Sequence, residues 1–242
     1  MKFNPIYYIC IACPTVERTL EMVDQYVAHG ARAFQIDMPS SNPFDETEFV
    51  KAMMQESLRE NMTYDRYMDG IREIRSRHPD LELHVVVYDD VVKSIGMERF
   101  IDFGKEIRVA SFMVPGLSLE DHRHIEGHGI RVFRTVTHEM DPADVKFCAE
   151  GDENEYICIR NKKPHEVGKP GLQTWDEKYA YLRAQGVKGN IYSVFGIKTK
   201  ETLQNVKDSG AQGAIIGNVL MHLWDQENKL WALLAEFQSL AE

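Results

Sequence analysis

The chain has 242 residues and a formal net charge of −10, from 28 Lys and Arg against 38 Asp and Glu, a length that suits one large domain or two small ones. Hydrophobic residues at 43%, with only 16 Gly and 9 Pro, exclude a collagen-like or largely disordered chain, and four cysteines are too few for a disulfide scaffold. The acidic balance argues against nucleic acid as a partner, so an anionic ligand must be held by local donors.

Short apolar or β-branched runs at 7–12, 33–38, 83–88, 110–114, 130–136, 156–159, 190–194 and 214–216 predict eight strands. Amphipathic stretches at 16–28, 46–60, 64–77, 95–106, 119–127, 174–185, 199–209 and 219–240 predict the helices between and after them. In the first helix Val16, Leu20, Val23 and Val27 recur at four- and three-residue steps, the stripe of a helix packed on a sheet. Gly30, Gly127, Gly186 and Gly210 follow helices and are expected to stop them in the left-handed conformation. Strict alternation implies a parallel sheet, and eight units in one chain without a long linker predict a single-domain α/β protein, a (β/α)8 TIM barrel over 1–242. No GxGxxG or GxxxxGK[ST] follows a strand, which counts against dinucleotide and P-loop sites.

No apolar run reaches the ~20 residues that cross a bilayer, and the opening residues meet Pro and charge too early for a signal peptide, so a cytoplasmic protein without membrane association is expected. Cys10 and Cys13 have redox or zinc-knuckle spacing, but three residues apart on a strand they are expected to face opposite sides as buried thiols. His122, His124 and His128 lie in a polar helix and are read as surface residues; no metal or cofactor is expected.

On a barrel, function gathers at the C-terminal ends of the strands. Gln35 and Asp37 stand there on the second strand, Tyr88, Asp89 and Asp90 on the third, and Arg160 on the sixth. Tyr88, Tyr156, Arg160, Lys162 and Lys163 are candidate substrate contacts, the basic loop at 160–171, with His165 and Lys169, supplying a counter-charge in an acidic protein. Phe195 and Gly196, with Gly217 and Asn218, end the last two strands and are candidate phosphate contacts, because backbone N–H groups beside glycine approach a phosphate closely.

The sequence resembles the tryptophan synthase alpha subunit family over most of its length. The likeness is carried by Cys13-Pro14 with Thr19-Leu20, by Gly30-Ala31 leading to the run from Phe34 to Pro43, by Gly96 to Phe100, by Tyr156 with Arg160, by Phe195-Gly196-Ile197, and by Gly210 and Gly213 to Gly217. The resemblance implies a (β/α)8 barrel that cleaves indole-3-glycerol phosphate to indole and glyceraldehyde 3-phosphate and docks on a pyridoxal-phosphate beta subunit. The family's essential Glu falls at Gln35, and a neutral amide neither protonates carbon nor acts as a base. The Asp that holds the indole N–H falls at Glu46; Asn42, Met113 and Asn218 replace an Asp, an Asp and a Ser.

Strand alternation places Asp37 on the face of Gln35, which makes Asp37 the candidate acid/base, Glu46 its assistant and Gln35 a substrate hydrogen-bonding residue. Asp89 and Asp90 are alternative carboxylates, or helix caps. The expected function is acid/base chemistry of a lyase, aldolase-like enzyme or isomerase on a small phosphorylated or anionic substrate. The alternatives are an ordinary alpha subunit with a displaced carboxylate, and a catalytically dead relative that binds a beta-type subunit or a metabolite. A beta-type subunit or a second copy of the chain is the expected protein partner.

Overall fold

The computed structural model describes residues 3–60, 64–161 and 172–241. Its strands are β1 (Asn4–Cys10), β2 (Ala33–Asp37), β3 (Glu82–Val86), β4 (Ser111–Met113), β5 (Arg134–Thr137), β6 (Tyr156–Arg160), β7 (Asn190–Val194) and β8 (Gly213–Ile216). Its α-helices are α1 (Val16–Ala28), α2 (Glu48–Glu60), α3 (Tyr64–Arg77), α4 (Asp89–Ile95), α5 (Met97–Glu106), α6 (Leu119–Gly127), α7 (Pro142–Ala149), α8 (Trp175–Ala184), α9 (Lys200–Asp208) and α10 (Glu227–Gln238). This alternation of parallel strands and helices is the (β/α)8 barrel class expected from the sequence.

The chain divides into two compact units, residues 8–132 and residues 133–242 with 1–7. In the first, β3 pairs in parallel with β2 and β4, Gln35 opposite His84 and Asp37 opposite Val86. The end of β1 joins this unit where the Ile11 N–H donates to the Asp37 carbonyl at 2.9 Å. Phe34, Ile36, Val85 and Phe112 are fully buried, and the Phe112 ring stacks on Phe100 of α5 at 4.0 Å. Gly104 of α5 makes that approach possible, because a Cβ there would lie 2.5 Å from the Phe112 ring.

In the second unit the start of β1 pairs with β8, and the order continues through β7 and β6 to β5. Asn4 lies opposite Gly213, and Phe133, Tyr156 and Tyr192 pack as an aromatic cluster with ring centroids 5.1–5.8 Å apart.

Several boundaries differ from expectation for local reasons. The helix predicted at 95–106 is α5, beginning at Met97 after Gly96 at φ +90, and the short helix α4 ahead of it was not anticipated. The tail predicted as one helix over 219–240 is a 3-10 turn at Met221–Leu223 followed by α10. The short helix α7 was not anticipated, although Asp141 caps it by accepting from the Ala143 N–H and Pro142 opens it. The left-handed stop expected at Gly127 is supplied by Gly129 at φ +82, two residues later, whereas Gly30, Gly186 and Gly210 do take positive φ.

Among the described residues no helix is long and apolar enough to cross a membrane.

Candidate functional site

The candidate site in the unit of residues 8–132 is a group of acids and phenols at the C-terminal ends of β1, β2 and β3. Asp37 ends β2, is fully buried, and accepts a 2.8 Å hydrogen bond at Oδ2 from the Tyr8 hydroxyl. Its Oδ1 has no well-formed hydrogen bond in the resting site, and Glu46 is the acidic neighbour able to accept one from it when Asp37 carries a proton. Glu46 lies in the segment that leads into α2; it is half-buried as a residue, and its Oε1 accepts from the Tyr88 hydroxyl at 3.3 Å. Tyr88, just ahead of α4, is held by an edge-on contact with the Phe44 ring at 5.2 Å.

The electrostatics follow from burial. Removal from water pushes the Asp37 carboxyl well above the ordinary range, and the Glu46 charge pushes it further, while the Tyr8 hydrogen bond opposes both. Burial also raises Glu46, to about 7, against the hydrogen bond from Tyr88. Two acids in one poorly solvated place cannot both ionise cheaply, so near neutral pH they share a proton, with Asp37 its main holder. Burial and the neighbouring carboxylates also hold Tyr8 and Tyr88 in the phenol form, as donors.

This arrangement fixes the sign of a pH effect on stability. The folded chain holds a proton on Glu46 between pH 4.5 and about 7 that the unfolded chain has already lost. Stability therefore falls as pH rises through that window, by about 2–3 kcal/mol from this group, and is level above it. Glu46→Gln is expected to make the decline shallower, the raised Asp37 carboxyl supplying what remains; urea denaturation at pH 5 and pH 8 measures it, and parallel slopes in the two proteins would contradict the burial of this acid.

Gln35 shares the face of Asp37 as alternation requires, is 3% exposed, and places its amide nitrogen 3.7 Å from the Met113 sulfur. Neither Asp89 nor Asp90 joins the group. Asp89 pairs with Lys93 at 2.6 Å one helical turn on. Asp90 accepts from the Ser40 hydroxyl at 2.7 Å and from the Ser41 N–H and hydroxyl at 2.9 and 2.6 Å. Although burial opposes it, these bonds hold the Asp90 carboxyl below its usual value. Its work is to fix the loop that carries Ser40 to Asn42, and the expectation of a helix cap is corrected, since Tyr88 occupies that position without a side-chain hydrogen bond.

The two cysteines also differ from expectation. β1 ends at Cys10, Ala12 takes a positive φ of 59, and the turn returns Cys13 to Cys10, their sulfurs 2.8 Å apart and fully buried. Both are free thiols, and burial first, then the hydrogen bond with Cys13, pushes Cys10 well above its usual value.

In the other unit, Arg160 ends β6 and is half-buried. Tyr156 opens the same strand and packs on Phe133 and Tyr192, about 13 Å from Arg160 at the usual rise of a strand, so the structure does not bring these two candidates together. Lys162, Lys163, His165 and Lys169 lie outside the described residues. Phe195 and Gly196 follow β7 with φ of 69 and 80, and Gly196 is open, a Cβ there meeting only the Asn161 amide at 3.7 Å. Gly217 has nothing within 4 Å of a Cβ position, and Asn218 beside it is half-buried. The helix expected to lend its N-terminus after Gly217 is a 3-10 turn, so any anion there depends on the loop amides themselves.

Sequence reasoning missed two residues here. Tyr8 sits in a run that is apolar on both sides, which hides its hydroxyl. Lys178 of α8 is buried, donates to the Asn161 side chain at 3.0 Å and lies 4.9 Å over the Trp175 ring.

Comparison with known proteins matches residues 2–152 to the family model described as tryptophan synthase alpha chain. That span includes Gln35, Asp37 and Glu46 and ends before the glycine loops. The tryptophan synthase alpha chain of Methanosarcina barkeri is 24% identical, with 97% of this chain and 90% of the relative covered. That of Erwinia tasmaniensis is 22% identical over 97% of this chain and 89% of its own. Among solved structures, tryptophan synthase from M. tuberculosis superposes with a TM-score of 0.83 at 15% identity, covering 99% of this chain and 93% of the other. A Pyrococcus furiosus tryptophan synthase alpha-subunit gives 0.81 at 16% identity, covering 99% and 100%.

Proposed function

The chain belongs to the tryptophan synthase alpha chain family, and from that premise we propose that it is a lyase which cleaves a carbon–carbon bond next to a hydroxyl in a small anionic substrate. The observation that carries this reading is the meeting of buried Asp37 and half-buried Glu46 with the hydroxyls of Tyr8 and Tyr88, a place whose burial pushes both carboxyls upward. A retro-aldol step needs one group to take a proton and another to give one. Glu46, ionised, takes the proton of the substrate hydroxyl; the O–H electrons form the carbonyl, the carbon–carbon bond breaks, and its electron pair passes to the leaving carbon. Asp37 then protonates that carbon, and a proton passing between the two carboxyls restores the starting state. The step is balanced by the two acids alone.

Gln35, at the position of the family's essential Glu, supplies a neutral amide as a donor to substrate oxygen. Independently, the open loops at Gly196 and at Gly217 with Asn218 are proposed to receive an anionic group, with Arg160 as the nearby cation of that unit. A phosphate is the anion such amides suit best.

The test is a turnover assay, followed by proton NMR, on indole-3-glycerol phosphate and a panel of phosphorylated β-hydroxy compounds. A panel substrate is expected to be cleaved by a mechanism that needs Asp37, while indole-3-glycerol phosphate is cleaved slowly or not at all. Cleavage of indole-3-glycerol phosphate that survives Asp37→Asn, or a panel with no substrate, would overturn the assignment.

A further inference from the structure

Away from the acid pair, α5 and α6 present a second set of groups that the proposed reaction does not use. Glu98 lies in the first turn of α5, His124 near the end of α6, and His128 is the residue that caps α6. His124 and His128 are four residues apart and so share one helix face, with ring centroids 4.7 Å apart. All three side chains are exposed or nearly so, on the surface of the unit of residues 8–132.

The hydrogen bonding fixes which atoms are available. Nδ1 of His128 is 2.9 Å from the carbonyl oxygen of His124, which only accepts, so Nδ1 carries the hydrogen. In the neutral ring this leaves a lone pair on Nε2, which lies 4.0 Å from Oε2 of Glu98. An N–H to a backbone carbonyl on the far side of the ring is the usual support of a metal-binding histidine. Nε2 of His124 donates its hydrogen to Oε1 of Glu98 at 2.8 Å, so a metal bound at that nitrogen displaces the hydrogen to Nδ1 of the neutral ring or, from the imidazolium, to water; the ligand atoms of the three residues all lie within 4.8 Å of one another. Four-coordinate zinc, with bonds of about 2.0–2.2 Å, needs donor atoms roughly 3.3 Å apart. Small rotations of exposed side chains reach that spacing from the observed one.

We propose that Glu98, His124 and His128 form a binding site for one divalent transition-metal ion of the zinc class, joining α5 to α6, with water completing the coordination. Two imidazoles and one carboxylate favour zinc, nickel or copper over magnesium or calcium, which prefer all-oxygen sites. Of the charged groups around the site, Lys105 offsets part of the Glu98 charge and Asp121 adds negative potential beside His124. The ligands come from two helices that the fold already holds in place, so binding orders only side chains.

The experiment is calorimetric titration of the chelator-stripped, full-length protein with zinc chloride at neutral pH. One equivalent is expected to bind with micromolar affinity, undiminished by millimolar magnesium. His124→Ala and His128→Ala are each expected to weaken binding about 10–100-fold with the far-ultraviolet circular dichroism unchanged, and Glu98→Gln to weaken it as well. A Cys10→Ser, Cys13→Ser double variant is expected to bind as the parent does. Absence of zinc binding, or binding by His124→Ala and His128→Ala with the affinity of the parent, would overturn the site and leave the trio as a surface hydrogen-bonded cluster.

Discussion

Glu46→Gln is expected to lower turnover of the cleaved substrate by about 10²–10⁴ while leaving the fold intact. Gln occupies nearly the same volume and can still receive the Tyr88 hydroxyl at its amide oxygen, so the packing around Phe44 and Tyr88 has little reason to change. What disappears is the base. The pH profile carries the sharper prediction. In the parent, kcat/KM rises as Glu46 ionises through about 7, then falls at higher pH as the strongly raised Asp37 gives up the proton it must donate. The Gln variant is expected to lose the rising limb and keep only residual turnover. Asp37→Asn is expected to lose activity to a similar degree without lowering the rising limb, because burial is what raises Glu46 and the hydrogen bond with Asp37 opposes that rise. A rising limb near 7 that persists in Glu46→Gln would move the base elsewhere.

Gly213→Ala is expected to destabilise the protein by about 3 kcal/mol, the upper end of what an added methyl does in a close-packed place. Gly213 opens β8 opposite Asn4, and a Cβ on it would run into the Asn4 carbonyl oxygen and lie 2.5 Å from the Tyr192 ring. Neither neighbour yields easily. Asn4 is tied through its N–H to the Gln212 carbonyl at 2.9 Å, and Tyr192 is wedged against Phe133 and Tyr156. Gly96 provides the contrast: a Cβ there meets nothing within 4 Å, and only its φ of +90 resists a side chain, so Gly96→Ala is expected to cost about 1 kcal/mol. Equal denaturation midpoints for the two variants would contradict this reading of the β1–β8 contact.

The long, strongly periodic elements were legible because sequence and packing agree in them. α1 begins where Thr15 accepts from the Arg18 N–H and carries its apolar stripe to Ala28, and α3 and β7 fall where the pattern puts them. The short helices α4 and α7 were not, since seven or eight residues hold too few turns for a period to declare itself and Tyr88 offers no capping side chain. At the site, alternation alone placed Gln35 and Asp37 on one face, and the family resemblance singled out Glu46. Tyr8 was invisible because β1 is buried on both sides, so its phenol looks like any other apolar residue until Asp37 is found against it. The meeting of Cys10 and Cys13 depends on a left-handed Ala12, for which a non-glycine residue gives no sequence signal.

The claim on which the account rests is that Asp37 and Glu46 hold one proton between them at neutral pH. Carbon-13 NMR of carboxyl-labelled protein, assigned with Asp37→Asn and Glu46→Gln, reads this directly without any substrate. The account predicts that the Glu46 carboxyl titrates near 7 and that Asp37 remains protonated at that pH. Two carboxylates already ionised by pH 5 would contradict it.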